Sequence, residues 1–310
     1  MMPVQPTPYI WMDGDLVEWD HANVHIMTHA LHYGFGAFEG IRAYETERGL
    51  AIFRLREHVR RLINSAKILM LDMPFSEDEI CAAHVDLMRA NQMGPGTYIR
   101  PLVYTGYGET GIFPLTSPVR LAIATWTWGA YLGDEGAAKG ARLMTSSWRR
   151  HDPNAMPTAA KATGMYINSG LAKVEALRAG FDEALMLGPD GRISECSGEN
   201  IFIIRDGVLI TPSASEAGAL AGITQDSIIR IARDLGYEVR HEAMIRTDIY
   251  LADECFMTGT AAEVIPVASL DDRLVGSGEP GPITRELQSR YSHIVRGQVP
   301  GYDEWLTYCN

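Results

Sequence analysis

Residues 129–141, GAYLGDEGAAKGA, divide the chain. Glycine and alanine dominate this stretch, and strand-rich sequence lies on both sides of it, which is how a linker reads. A chain of 310 residues has room for two cores. The expected division is a smaller N-terminal domain over 1–131, a linker over 132–140 and a larger strand-rich domain over 141–310.

Before the linker, two aromatic and apolar runs flank Asp13-Gly14 in YIWMDGDLVEW. That pair suits a turn with positive φ, so residues 9–19 read as a hairpin. IRAYE and LAIFRL read as paired strands turning at Glu47-Arg48-Gly49. From Glu57 to Leu71, Val59, Leu62, Ile63, Ala66 and Leu69 or Met70 recur as one helical stripe. Arg60, Arg61, Asn64 and Lys67 fall on the other faces, so spacing alone makes Arg61 a solvated residue. Ser76 to Glu79 is a capping box that opens a helix running to about Asn91. GTYIRPLVYTGYG is a strand; alternation puts Tyr98 and Arg100 on one side of it. Residues 119–128 form another strand.

After the linker come a strand from Ala141 to Trp148 and a helix from Tyr166 that stops at Gly180, a residue type suited to ending helices. EALMLGPDGRISE turns at Pro189-Asp190-Gly191, and NIFIIRDGVLITP turns at Asp206-Gly207. A helix after Gly222 carries Ile228, Ile229, Ala232 and Leu235 and ends at Gly236. YEVRHEAMI and DECFMTGTAAEVIPV add strands, and the fold class is α+β.

A net charge of −12 argues against nucleic acid or an anionic membrane as the main partner. Cys81, Cys196, Cys255 and Cys309 are widely spaced without a CxxC pair, so reduced thiols in the cytoplasm are expected. The N-terminal MMPVQPTPYI lacks the basic and apolar regions of a secretory signal, and no run reaches the length of a membrane span. His21, His25, His29 and His32 have helical spacing, but Gly34, Gly36 and Gly40 follow and no carboxylate completes a ligand set, so they read as structural and no metal is expected. GFGAFEG has the wrong spacing for a dinucleotide fingerprint. There is no Gly-x-Ser-x-Gly elbow and no HExxH.

In PTAAKATGMY, Lys161 stands among small residues that would admit a flat ligand. Burial disfavours a lysine's charged form and makes its amine a usable nucleophile. In ISECSGENIF, Glu195 ends a strand. Three features suit an anion: the helix start at Gly222-Ile223-Thr224, the small-residue turn at Thr258 to Ala262 with the Thr260 hydroxyl, and the planar charge of Arg61. Each alone reads more readily as a capped helix, a tight turn or a surface side chain. Together, an amine, a carboxylate and a phosphate cradle are what pyridoxal 5′-phosphate requires.

The motifs YIWMDG, VHIMTHALHYG, FEGIRAY, FRLREHVRRL, YIRPL, WGAYLG, PTAAKATG, ISECSGENIF, GITQDSI, YLADECFMTGTAAEV and GPIT fall in order along nearly the whole chain. In this it resembles the branched-chain amino acid aminotransferases, pyridoxal-phosphate enzymes of fold type IV. The resemblance implies a two-domain α+β fold whose larger domain binds the cofactor. It implies a homodimer and ping-pong transfer of an amino group from leucine, isoleucine or valine to 2-oxoglutarate. Lys161 matches the lysine that binds the cofactor as an imine and moves the proton, Glu195 the partner of the ring nitrogen, and Tyr166 the partner of the ring hydroxyl. Arg61, Ile223, Thr224 and Thr260 match phosphate contacts. Phe38, Gly40, Tyr98, Arg100, Trp128, Tyr131, Gly259 and Ala261 match the substrate wall. Within that wall, Tyr98 and the turn from Gly259 to Ala261 would hold the α-carboxylate, and Arg100 the side-chain carboxylate of glutamate. Tyr33 matches a residue that enters from the partner subunit.

Cys196, Met165 and Ala221 stand where the family commonly has Gly, Asn and Pro, and residues 108–118 align poorly where it reads substrate size. The alternatives within the fold type are a transaminase for D-amino acids or (R)-amines and an aminodeoxychorismate lyase. The YIR segment and Arg42 in EGIRAY favour the branched-chain L-type.

Overall fold

Asp13 and Gly14 both take positive φ, 51° and 109°. They close the expected hairpin between the strands Tyr9–Met12 and Asp15–Glu18. The computed structural model describes residues 4–129 and 139–309. The chain divides into a first unit of Met1–Gly129, Ala160–Gly164 and His293–Asn310, and a second of Ala130–Ala159 and Met165–Ser292. Two stretches beyond residue 141 therefore group with the N-terminal part, and one of them carries Lys161. Most of the expected linker, 132–138, and Tyr131 lie outside the described residues.

The first unit is built on one antiparallel sheet. Its strands run in the order Leu306–Tyr308, Gly49–Phe53, Ile41–Thr46, Thr97–Thr105, Val119–Thr127, Tyr9–Met12 and Asp15–Glu18, and Gly36–Phe38 also pairs with Thr97–Thr105. Helices Leu55–Ile68 and Glu77–Ala90 join its core, where Val59, Leu62, Ile80 and Leu87 meet Ile41, Ile52, Ile99 and Leu121. Ile99 and Val103 point into that core, so Tyr98 and Arg100 project from the opposite face. The capping box forms as expected: Ser76 Oγ accepts from Glu79 N, and Glu79 Oε2 accepts from Ser76 N at 2.8 Å. The four histidines diverge. His29 is buried with its ring nitrogens on Thr105 Oγ1 and Gly111 O, whereas His32 reaches Ile26 O and His21 lies by Glu18.

The second unit holds a mixed sheet in the order Ile193–Cys196, Glu183–Leu187, Ala141–Thr145, Glu263–Leu270, Glu254–Gly259, Asn200–Arg205, Val208–Thr211 and Val239–His241. Both expected hairpins are present. Phe202 and Phe256, directly opposed on neighbouring strands, stack at 4.8 Å. The strand expected to reach Trp148 stops at Thr145, where Glu175 takes the hydroxyls of Ser146 and Ser147. Only Val239–His241 of YEVRHEAMI is strand, and the short helix Arg246–Tyr250 follows the segment. The sequence expectation lacks the helix Pro282–Val295 and the strand Leu306–Tyr308. Both units mix helix and strand, so the class is α+β as expected. All four cysteines are unpaired and buried. Among the described residues no helix is long and apolar enough to cross a membrane.

Candidate active site

In the first unit, Phe38, Glu39 and Gly40 leave the strand Gly36–Phe38 with alternating direction, and each meets a different partner. The Phe38 ring lies 5.2 Å from Lys161 Nζ and 4.7 Å from Arg100 Cζ. One aromatic ring thus neighbours both the amine and the guanidinium. Phe38 N donates to Lys161 O, Lys161 N donates to Ser65 Oγ at 3.0 Å, and Ala37 bridges to Ala162. Thr163 Oγ1 donates to Gly34 O at 2.8 Å. The lysine segment is therefore fixed through its backbone.

Gly40 has to be glycine for a spatial reason. A Cβ there would stand 1.9 Å from the Tyr98 hydroxyl. Tyr98 is buried against Trp126 and Trp128, with ring centroids at 5.1 and 4.6 Å. Arg100 reaches the Tyr98 hydroxyl at 3.4 Å, while its buried Nε has no hydrogen-bond partner. A buried guanidinium nitrogen left in that state fits a site built to receive an acceptor. Tyr33 is 41 % exposed at the end of the short helix His29–Tyr33.

Arg61 is not the solvated residue that its spacing indicates. Its Nε and Nη2 donate to Glu39 Oε1 and Oε2 at 2.6 and 2.8 Å, and His58 Nδ1 donates to Oε2 at 2.7 Å. Helical periodicity reads the helix alone, and the partner comes from a strand. Burial pushes the Glu39 carboxyl up, but Arg61 and His58 outweigh it and hold it well below the usual carboxylate range. Burial lowers the His58 pKa; Glu39 opposes this, and the charges of Arg61 and Lys161 add to it.

In the second unit, Glu195 is buried on the strand Ile193–Cys196. Its Oε1 pairs with Arg150 Nη2 and its Oε2 accepts from Leu220 N at 3.1 Å. Arg150 Nη1 donates to Ser169 Oγ at 3.1 Å. Ile223 and Thr224 open the helix Ile223–Asp234, whose N-cap Gly222 provides no side-chain cap. A Cβ at Gly222 would lie 1.9 Å from Asn200 Oδ1. Thr258, Gly259, Thr260 and Ala261 end the strand Glu254–Gly259 in a turn, and the buried Thr258 Oγ1 has no hydrogen-bond partner. Tyr166 starts the helix Tyr166–Arg178 and is half-buried. Met165 and Cys196 are both buried.

Sequence reasoning missed Glu39, His58, Ser65 and Arg150. Glu39 lies inside the quoted FEGIRAY motif; Arg150 carries no local signal, because its partner stands forty-five positions away. Behind Glu195, Glu183 is fully buried, holds Lys173 Nζ at 2.5 Å and accepts from Ser197 Oγ. Nearby Glu199 is buried too. Desolvation and the Glu183 charge push its carboxyl up to about 8, against the pull of Lys173.

The first unit carries a backbone-fixed lysine and an arginine fork; the second carries a buried carboxylate acceptor and a helix start without a side-chain cap. These are the group types that pyridoxal 5′-phosphate takes. The sequence model of the family described as Amino-transferase class IV matches residues 36–270. The chain is 46 % identical to the branched-chain-amino-acid aminotransferase of Pseudomonas aeruginosa over 96 % of each chain. It is 45 % identical to that of Escherichia coli K12 over 100 % of both. It also superposes with a TM-score of 0.92 on the crystal structure of the branched-chain amino acid aminotransferase from Thermobaculum terrenum in its PLP form, at 37 % identity, covering 98 % of this chain and 99 % of that one. The chain belongs to the class IV aminotransferases and, within them, to the branched-chain-amino-acid aminotransferase family.

Proposed function

We propose that this protein transfers the amino group of leucine, isoleucine or valine to 2-oxoglutarate, using pyridoxal 5′-phosphate, with Lys161 as the reacting group. The observation that carries this reading is the Phe38 ring, which neighbours Lys161 Nζ on one hand and Arg100 on the other. Such a wall is apolar enough for a branched side chain and holds one cation for the second carboxylate of glutamate. Apolar contact with Phe38, Gly40 and Trp128 selects the first substrate, and charge selects the second.

When bound, the cofactor supplies an electron sink for the charge left at the substrate Cα. Lys161 Nζ would hold it as an imine, be freed when the substrate amine takes its place, and carry the substrate Cα proton as an amine base. Glu195 would accept a hydrogen bond from the protonated ring nitrogen, and Arg150 keeps the carboxylate oriented for it. Tyr166 hydrogen-bonds the ring hydroxyl. Arg61, the Thr260 hydroxyl and the backbone N–H groups of Ile223 and Thr224 bind phosphate. Tyr98, Gly259 and Ala261 hold the α-carboxylate. The family resemblance gives Tyr131 a substrate contact as well. Tyr33 serves the neighbouring copy of a homodimer, in keeping with its exposure. The four unpaired cysteines fit a cytoplasmic enzyme.

Incubation with L-leucine and 2-oxoglutarate should yield L-glutamate and the leucine-derived 2-oxo acid. Lys161→Ala should lower that rate by roughly 10²–10⁴-fold or more. Turnover only of D-amino acids or (R)-amines, or pyruvate released from an aminodeoxychorismate, would overturn the reading.

A further inference from the structure

We propose that Glu39, backed by His58, is a positioning residue that sets the direction in which Arg61 presents its guanidinium to the cofactor phosphate. This rests on the reading of Arg61 as a phosphate contact.

The geometry is specific to one edge of the guanidinium. Nε and Nη2 lie on the two oxygens of Glu39 at 2.6 and 2.8 Å. A guanidinium is planar, and a carboxylate gripping its Nε side fixes that plane. The edge formed by Nη1 and Nη2 is then aimed by the carboxylate and not by the rotamers of a long side chain. Glu39 cannot swing away, because it is fully buried and His58 Nδ1 holds the same Oε2 at 2.7 Å.

The supports share one helix. His58, Arg61 and Ser65 lie on one face of Leu55–Ile68, and Ser65 Oγ takes the backbone N–H of Lys161 at 3.0 Å. The helix that aims the arginine thus also holds the lysine segment. Glu39 in turn is bracketed by Phe38 and Gly40, whose contacts are Lys161, Arg100 and Tyr98. Held side-on, the guanidinium keeps its plane fixed while its Nη edge is directed away from Glu39. Buried pairs that only tie one element to another are often replaceable by apolar groups at little cost.

The test compares two probes that differ only in the phosphate. Apoprotein is titrated with pyridoxal 5′-phosphate and with pyridoxal, following the absorbance of the bound form. The wild type should prefer the phosphorylated probe. Glu39→Gln should cut that preference by about tenfold while leaving pyridoxal affinity nearly unchanged, the scale of one charge-assisted hydrogen bond. Glu39→Asp, which keeps the charge, should recover part of it. If the two affinities fall together, or the preference holds, Glu39 is only a fold element and the proposal fails. Arg61→Ala separates the two layers. Should it leave the preference intact, the phosphate reading of Arg61 is what fails. Circular dichroism of the apoproteins reports folding. If Glu39→Gln does not fold, His58→Gln reads the same ratio; a drop of roughly threefold supports the proposal and an unchanged ratio overturns it.

Discussion

Glu39 and Glu199 are both buried glutamates, one in each unit, and they carry opposite charge states. Glu39 has no exposure, and Glu199 has 4 %. Desolvation acts on both in the same direction. What differs is the company. Glu39 meets an arginine and a histidine. Glu199 meets the charges of Glu183 and Glu195, with Lys173 already engaged by Glu183. Burial alone therefore does not decide whether a carboxylate ionises; the sign of its neighbours does. The first unit keeps an anion to orient a cation, whereas the second keeps a neutral acid beside the strand that carries Glu195.

The largest effect should come from Glu39→Ala. It removes the buried carboxylate that Arg61 and His58 both hold, a loss on the order of 3–5 kcal/mol. Urea unfolding of the apoprotein measures it. A loss under about 1 kcal/mol would mean that Arg61 simply turns to solvent, and the contrast between the two glutamates would collapse. The pH dependence has a definite sign. The Glu39 pKa is lower folded than unfolded, so its contribution is present above the ordinary value of 4.5 and is lost as pH falls below it.

Much of this architecture is legible in the sequence because it is local. Asp13-Gly14, the Ser76 capping box and the Asp206-Gly207 hairpin are decided by neighbours within four residues. The partners that tune the site are not. Arg61 looks solvated because a helix's period says nothing of a glutamate on a strand. Arg150 carries no signal at all, since its role is defined by Glu195 and Ser169. Lys161 can be picked out by its small neighbours, yet what fixes it, Ser65 and Phe38, comes from two other segments. The strand Leu306–Tyr308 is too short to announce itself; it forms because Gly49–Phe53 offers an edge.

An intermediate effect tests the two units by their glycines. Gly40→Ala would drive a methyl into the Tyr98 hydroxyl, and Gly222→Ala would drive one into Asn200 Oδ1. Each should cost about 1–3 kcal/mol. The readouts should separate them. Gly40→Ala displaces a ring packed between two tryptophans and should raise KM for both amino acids. Gly222→Ala shifts a helix start and should weaken cofactor binding first. If both variants change KM alone, the phosphate role of the Gly222 helix start is wrong.

The smallest change in stability, and the most pointed, belongs to Glu199→Gln. Below pH 4.5 Glu199 is protonated in the folded and the unfolded chain alike, so a glutamine replaces a neutral acid of nearly the same shape. Stability should move by less than about 1 kcal/mol there. The pH profile should move more. In the wild type the unfolded chain releases this proton near 4.5 and the folded chain only near 8. Between those values the folded state holds more protons, so its stability falls as pH rises. Glutamine has nothing to titrate and should flatten that part of the curve, leaving the loss below 4.5 that Glu39 contributes. A variant that keeps the wild-type slope from pH 5 to 8 would show that Glu199 is not its source, and the contrast between the two buried glutamates would rest on Glu39 alone.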